Sequence, residues 1–430
     1  MTSKLSGGLR GFARTGQDGA RQSMKYYSNS GSDERRLIKV ALYMGVSSAV
    51  LWYILAAYWG ALDFKSIEIG YMFAAGSAAS ATTLVMSGFL ADKFGRKKLL
   101  IVGLAGSALG TALFISEKNF LVFMAANVIV SLSNSIVGPS LMALLSTKAE
   151  PSKLKFLYGM QSFSNTIGLT LGTLVGLMAP DLLWDFIGAD TITGYKYVYL
   201  TAAAIAIIPV VYSLRVRETH VPSERLLLEF DKRTVKMLAM YSLQNVFIGL
   251  GAAMVMPWIA IIFSEGMGAS GTQLSLMFTL SNIMLAAGFF VIPVFERARG
   301  AVTLVAVCQL ASVPLLVLIP YSPTLLVAAV LYAVRSLLML VPSPILNAYI
   351  MNVVNEKIRA SFLAISTLAW TLAFMVSEAS SGYLWNGDYT RTEPFLYCGL
   401  FYVLGTLTFF LYFRNIKEPA SGVPAAVGKK

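Results

Sequence analysis

The amino-acid sequence predicts an all-α integral membrane protein with twelve transmembrane helices in two six-helix bundles. Hydrophobic residues make up 56% of the 430 residues, and charged residues only 13%, about half the share of an ordinary soluble domain. The apolar residues fall in long runs, and most basic residues fall in every second connection between runs. A water-soluble protein of this composition would have to expose much of its apolar surface, which excludes most soluble enzymes.

Twelve apolar stretches are long enough to cross about 30 Å of hydrocarbon, which takes roughly 20 helical residues. Each must be helical, because the bilayer core offers no water to satisfy an open backbone. A β-barrel would show short alternating segments instead. The predicted spans are 37–62, 67–91, 98–117, 120–146, 155–179, 195–214, 235–263, 271–294, 301–320, 324–350, 360–384 and 395–413.

The basic residues predict the orientation. All but five of the 34 Lys and Arg residues lie in the two tails, in even-numbered connections or within the first three residues of the spans that follow them. Lys65, Lys118, Lys196 and Arg391 lie on the other side, and Arg335 lies inside a span. By the positive-inside rule, both termini are cytoplasmic and the protein resides in the cell membrane. The net charge of +12 therefore reflects topology rather than nucleic-acid binding.

A polar stretch from Arg215 to Lys232 separates six spans from six. Any single loop of this kind can be an ordinary solvated loop, but its midpoint position favours a linker between two halves. The predicted domains are a disordered basic cytoplasmic tail at 1–35, an N-terminal bundle at 36–214, a cytoplasmic linker at 215–233 with a short amphipathic helix at 223–230, a C-terminal bundle at 234–413 and a cytoplasmic tail at 414–430.

The two halves share a weak internal repeat. The turn after span 2 (88–98) and the turn after span 8 (293–300) each place an acid, then bases and a glycine, at the same end of equivalent helices. Pro139 in span 4 and Pro342 in span 10 lie at similar depth.

The first of these turns carries the most specific motif in the chain. It places Gly88 and Asp92 before Gly95, Arg96 and Lys97. Such a turn needs a glycine for a positive φ, and its acid and bases can clasp neighbouring helices. The segment resembles the motif A loop of the major facilitator superfamily at every position. The resemblance implies two bundles around a central cavity, working by alternating access, with this loop stabilising the outward-open state.

A second family pattern is incomplete. Gly159, Gly168, Gly172 and Gly176 have the spacing of motif C of the proton-linked antiporters, but Thr173 replaces its proline. The last three glycines share one helix face, a small-xxx-small pattern typical of tight helix packing. We expect helix packing to be their role, and an antiporter signature remains the alternative.

Polar residues in the spans are candidates for binding solute. Asn127, Ser131 and Asn134 lie on one face of span 4, and Asn127 stands where motif B has an arginine. The other candidates are Tyr241, Gln244 and Asn245 on span 7 and Tyr53 on span 1. Hydrogen bonding between helices is the alternative role for the asparagines and serine, and an interfacial aromatic belt is the alternative for Tyr53.

Two ionisable residues lie well inside predicted spans, Arg335 on span 10 and Glu378 on span 11. Such residues cost roughly 2.5–3.5 kcal/mol to insert, so they are candidates for function. Arg335 is a candidate for binding an anionic group and Glu378 for loading a proton. A static buried pair between them is the third possibility.

The sequence predicts a secondary transporter and not an enzyme. One histidine and two cysteines cannot form a conventional zinc site, and no nucleotide-binding lysine motif is present. We predict proton-coupled movement of a small organic solute, with efflux of amphipathic compounds favoured. A permease for an organic anion or metabolite is the alternative, and a non-transporting membrane sensor is the alternative of another class. The expected partners are the solute, a proton or other ion and lipid, with no cofactor, no nucleic acid and a monomeric state.

Overall fold

The computed structural model describes residues 31–148, 154–217, 231–355 and 358–416. Most of the predicted N-terminal and C-terminal tails and the predicted amphipathic helix at 223–230 lie outside these ranges. The first described helix begins at Ser32 and the seventh at Lys232.

The described chain forms twelve helical segments and no strands, as the sequence predicts. They are α1 (Ser32–Ala61), α2 (Ser66–Phe94), α3 (Arg96–Leu113), α4 (Phe120–Ser146), α5 (Leu154–Ile187), α6 (Thr191–Leu214), α7 (Lys232–Gly266), α8 (Gly271–Arg299), α9 (Ala301–Tyr321), α10 (Leu325–Val353), α11 (Arg359–Trp385) and α12 (Glu393–Phe413). The fold class is confirmed, with α1–α6 and α7–α12 as the two bundles.

Polar side chains just before several helices fix where those helices begin. Asn119 accepts hydrogen bonds from two backbone N–H groups of the first turn of α4, and Asp190 accepts one from Thr193 in α6. These caps satisfy donors that have no partner within the helix. The side-chain hydrogen bond from Thr193 lowers the pKa of Asp190, which keeps this cap charged.

The turn after α2 and the turn after α8 have the same backbone geometry. Gly95 has φ 84° and ψ 148°, and Gly300 has φ 79° and ψ 152°. An L-residue with a side chain rarely adopts such a φ, so glycine is required at both positions. The internal repeat is therefore present in the backbone.

The glycines of α5 bring that helix into close contact with α1. A Cβ on Gly168 would lie 2.0 Å from the backbone oxygen of Leu42, and a Cβ on Gly172 would lie 2.5 Å from that of Val46. Gly176 lies against the side chain of Ile54. Gly159 does not take part, because a Cβ there would meet nothing within 4 Å. The packing pattern is thus shorter than the sequence spacing suggested.

The most extensive contacts between the bundles that the structure describes are those of α2 with α11 and of α5 with α8, and α1 also contacts α7. We call the face that carries Gly31 and Ile416 the terminal face, and the opposite face, with the α1–α2 loop, the distal face. All the hydrogen bonds between the bundles that the structure describes lie in the distal half. The structure is therefore closed at the distal face.

Candidate functional site

Three helices, α1, α7 and α10, are irregular within their length. Helix α1 has a π-helical segment at Val50–Ile54, α7 is interrupted at Met256–Trp258 around Pro257, and α10 is interrupted at Val341–Pro342. Proline removes a backbone donor and breaks the helical ladder, and π segments often lie at functional sites. Broken helices at the bilayer midplane mark binding sites in many transporters.

The break in α7 is held from α11. The Nε1 of Trp385 donates a 2.9 Å hydrogen bond to the backbone oxygen of Met254, and Nε1 of Trp258 donates one of 2.8 Å to Ser381. Both tryptophans are fully buried. An interrupted helix can persist in the membrane only if its freed backbone groups find other partners.

Tyr53 projects from the π segment of α1 towards the other bundle. Its hydroxyl donates a 3.1 Å hydrogen bond to Oδ1 of Asn282 on α8, and its ring lies 4.9 Å from that of Phe278. Phe278 in turn contacts Tyr332 on α10, with ring centroids 5.5 Å apart. Tyr53 therefore belongs to a row of side chains crossing from α1 to α10, rather than to an interfacial belt.

Arg335 is buried in the C-terminal bundle, with 3% of its surface exposed. It donates a 2.7 Å hydrogen bond from Nη2 to the hydroxyl of Tyr402 on α12 and one of 3.0 Å from Nη1 to Sδ of Met256 at the α7 break. Its Nε has no hydrogen-bond partner. A guanidinium group at this position can fix the broken helix and can also receive an anion.

Glu378 lies at the contact between α11 and α2. Only 4% of its surface is exposed, and Oε2 accepts a 2.5 Å hydrogen bond from the hydroxyl of Ser77. The pair that successive antiparallel helices suggested between Glu378 and Arg335 is not formed, because the two side chains point to different neighbouring helices. This is a correction to the sequence analysis.

The polar face of α4 forms its hydrogen bonds with other helices of the N-terminal bundle. Asn127 donates a 2.7 Å hydrogen bond to the backbone oxygen of Met72 on α2. The backbone oxygen of Ser131 accepts one from Ser80 on α2, and Asn134 accepts one from Ser107 on α3. These contacts favour the alternative role of joining helices.

The polar cluster on α7 also faces its own bundle. Tyr241 is buried between Phe362 and Phe413, and Asn245 donates to the backbone oxygen of Ser366 on α11. Gln244 has 2% of its surface exposed and contacts α12 through its backbone oxygen at Gly405. The structure places this cluster among packing residues, away from the row that contains Tyr53.

The motif A turn joins helices of one bundle at the terminal face. Arg96 donates a 3.3 Å hydrogen bond to the backbone oxygen of Ala143 in α4, and Lys97 donates one of 3.0 Å to that of Leu214 in α6. The structure does not describe the surroundings of Gly88 or the side chain of Asp92, so their predicted roles lie outside what it shows.

Sequence reasoning missed the residues that close the distal face, since each gains its role only from a partner far along the chain. Ser66 shares a 2.9 Å hydrogen bond with the hydroxyl of Tyr389 and accepts one of 2.8 Å from the backbone N–H of Gly387. Asp181 accepts bonds from Thr272. The one available signal was an acid near the end of span 5.

Residues 38–239 match the profile of the Major Facilitator Superfamily. An uncharacterized MFS-type transporter of Bacillus subtilis is 31% identical over 108 residues, 25% of this chain. The bacillibactin exporter of Bacillus subtilis is 24% identical over 155 residues, 34% of this chain. The aligned segments span 26% and 39% of these two relatives.

Among solved structures, a mutant of the nucleoside transporter NupG superposes with a TM-score of 0.74 and 14% identity. The alignment covers 88% of this chain and 99% of that one. At this level of identity the likeness shows the fold alone.

Proposed function

We propose that the chain is a member of the major facilitator superfamily and acts as a proton-coupled secondary transporter, which moves a small organic solute across the cell membrane by alternating access. The profile match, the fold and the closed distal face support this reading. Similarity to the bacillibactin exporter and to a tetracenomycin C resistance and export protein of Streptomyces glaucescens supports efflux as the direction.

The hydrogen bond between Ser77 and Glu378 carries the proposal. It joins α2 of one bundle to α11 of the other, 301 positions apart in the sequence. Nearby, a Cβ on Gly70 would lie 2.8 Å from the backbone oxygen of Glu378, so the two helices are in backbone contact here. The carboxyl group can stay in this contact only while the distal face is closed.

Separation of α2 from α11 would couple proton exchange to the conformational change. A carboxylate buried without a cation is costly, and ionisation becomes favourable once water reaches the group. Opening the distal face exposes Glu378 to the solution on that side, where it can exchange its proton. Closing the face buries the group again, against Ser77. Net proton movement then requires the buried carboxyl group to release its proton towards the terminal face when that face opens.

The test uses purified protein in liposomes and compares Glu378→Gln with Glu393→Gln, an exposed acid at the start of α12. Amphipathic dyes used in efflux assays and small carboxylates serve as the transported solutes. A pH gradient across the liposome membrane supplies the driving force. We expect Glu378→Gln to abolish gradient-driven transport while solute exchange at equal pH continues, because the glutamine is always neutral. Gradient-driven transport at an undiminished rate in Glu378→Gln would refute proton coupling at this residue.

A substrate-free measurement supports the same test. In infrared difference spectra recorded as pH is varied, the wild-type protein should show a buried carboxyl band that is absent in Glu378→Gln and present in Glu393→Gln. A band that survives in Glu378→Gln would assign the titrating carboxyl group to another residue.

The two bundles are proposed to extend over 36–214 and 234–413, with both termini cytoplasmic. Motif A is proposed to act through Asp92, Gly95 and Arg96 as the family resemblance implies. Absence of both solute counterflow and proton movement in liposomes would instead favour a non-transporting sensor.

A further inference from the structure

We infer that the solute is an amphipathic organic anion whose charged group binds Arg335 and neighbouring donors on α8. This inference rests on the proposed transport function and names the class of its substrate.

The charge of Arg335 is not neutralised by any ion pair that the structure describes. Its two hydrogen-bond acceptors, the hydroxyl of Tyr402 and the sulfur of Met256, are neutral, and Nε has none. Arginine remains protonated in proteins. The ring of Tyr402, with its centroid 5.3 Å from Cζ, is a further neutral contact. A buried cation with neutral partners is costly, and an anion bound against it would offset part of that cost.

Two more donors without partners lie on α8. Nδ2 of Asn282 and Oγ1 of Thr279 are buried and form no hydrogen bond, although Oδ1 of Asn282 accepts the bond from Tyr53. Buried polar groups in native proteins are nearly always paired, so each orphan calls for an explanation. A bound ligand with several acceptor oxygens would pair with these donors and so explain them.

The unpaired donors of Asn282 and Arg335 lie at similar depth in the structure. Helices α8 and α10 run in the same direction, and the contact between Phe278 and Tyr332 sets their register. Asn282 lies four residues beyond Phe278 and Arg335 three beyond Tyr332, which places them about 6 Å and about 4.5 Å further along their axes. Asn282 faces α1, where its amide oxygen accepts the bond from Tyr53, and Arg335 lies one turn beyond the ring of Tyr332 that contacts Phe278. The inference joins these donors, which lie at similar depth on two neighbouring helices, into one site.

The same region offers rings to an apolar ligand body. Tyr332 lies against Phe278 and, with a ring-centroid distance of 5.9 Å, against Phe263 on α7. Tyr53 extends this surface from the other bundle. A guanidinium group can bind a carboxylate through two parallel hydrogen bonds, so an aromatic carboxylate matches both parts of the site.

The experiment measures binding to the purified full-length protein by thermal shift and by titration calorimetry. The probes are benzoate and 1-naphthylacetate, their neutral amides as matched controls, and chloride and sulfate as inorganic anions. We expect at least one carboxylate to bind and its amide to bind at least about tenfold more weakly, since a charge-assisted hydrogen bond contributes that much or more. Arg335→Gln should remove this preference, and Arg335→Lys should keep part of it.

Arg414→Gln, which alters an exposed arginine, is the matched control and should bind like the wild type. If Arg335→Gln fails to fold, Asn282→Ala replaces it, with an expected loss of about fivefold to tenfold in carboxylate affinity. Equal binding of acid and amide, or binding of chloride or sulfate alone, would overturn the inference. So would carboxylate binding that is unchanged in the Arg335 or Asn282 variant. Proton-driven transport of a neutral or cationic solute that still requires Glu378 would refute the substrate class and leave the transport function intact.

Discussion

Asp181 at the distal end of α5 caps the start of α8, a helix of the other bundle. Its Oδ2 accepts a 2.7 Å hydrogen bond from the backbone N–H of Thr272 and one of 2.8 Å from the hydroxyl of the same residue. One turn away, a Cβ on Gly271 would lie 2.4 Å from the backbone oxygen of Leu177. A carboxylate is favoured at a helix N-terminus, so this contact holds the two bundles together at the distal face.

Replacement of Asp181 by Asn should weaken distal closure. The change removes the charge and one acceptor, and hydrogen bonds to a charged group contribute about 1.5–3 kcal/mol. We expect the distal-open population to rise about tenfold or more, as measured by spin-label distances between cysteines placed at exposed Glu117 and Tyr321. Asp185→Asn, which alters an exposed acid on the same helix, should leave the distances unchanged. Equal distance distributions in the two variants would contradict this role for Asp181.

A methyl group at Gly168 should destabilise the protein, because its Cβ would enter the backbone of α1 near Leu42. Overpacking of this kind costs typically about 1–3 kcal/mol, so the melting temperature in detergent should fall by several degrees. Gly159→Ala is the matched control on the same helix. Its Cβ has open space, and the gain in helix propensity of up to about 1 kcal/mol should hold or raise the melting temperature. A fall of the same size in both variants would show that the α1–α5 contact is not the cause.

Loss of the indole donor of Trp385 should destabilise the break in α7. In Trp385→Phe the buried backbone oxygen of Met254 loses its partner, which costs about 1–3 kcal/mol. The expected result is a lower melting temperature, together with faster hydrogen exchange around residues 254–259. Trp184→Phe changes a tryptophan that is 59% exposed and should have little effect on either measurement. Unchanged exchange in Trp385→Phe would mean that other contacts hold the break.

We expect the ionisation of Tyr389 to leave distal closure unchanged over the neutral pH range. An exposed tyrosine ionises at about pH 10, and burial raises the pKa of Tyr389 to about 12 in the closed state. The closed state favours the neutral phenol of Tyr389 over the ionised one. The contribution of Tyr389 to closure is therefore complete below about pH 10 and is lost as pH rises towards 12. The distance measurement, repeated from neutral to alkaline pH, checks this.

The control for that pH series is Tyr389→Phe, which removes the hydroxyl that Ser66 contacts. Its distal-closed population should be lower than that of the wild type at neutral pH and should show a smaller alkaline change. A loss of closure between pH 7 and 9 in the wild type alone would place the ionisation of Tyr389 below the expected range.

Local sequence properties predicted the backbone well. The hydrocarbon thickness and the need for internal hydrogen bonds set the length and type of each span, and the twelve helices lie close to the predicted stretches. The turns at Gly95 and Gly300 could be predicted from the sequence, because the positive φ that each turn needs depends on a single residue being glycine. Gly168 and Gly172 were visible as a packing face because their spacing follows the helix period.

The site depended on contacts that no local rule contains. The sequence singled out Arg335 and Glu378 as costly residues within the membrane, yet Arg335 meets Tyr402, 67 positions away, and Glu378 meets Ser77, 301 positions away. Likewise Tyr53 pairs with Asn282 across 229 positions. Apolar length and glycine conformation act within one helix, and the sequence alone therefore determined the spans and their turns. Which polar faces meet depends on the rotation and crossing of whole helices, and this only the packing of the two bundles decided.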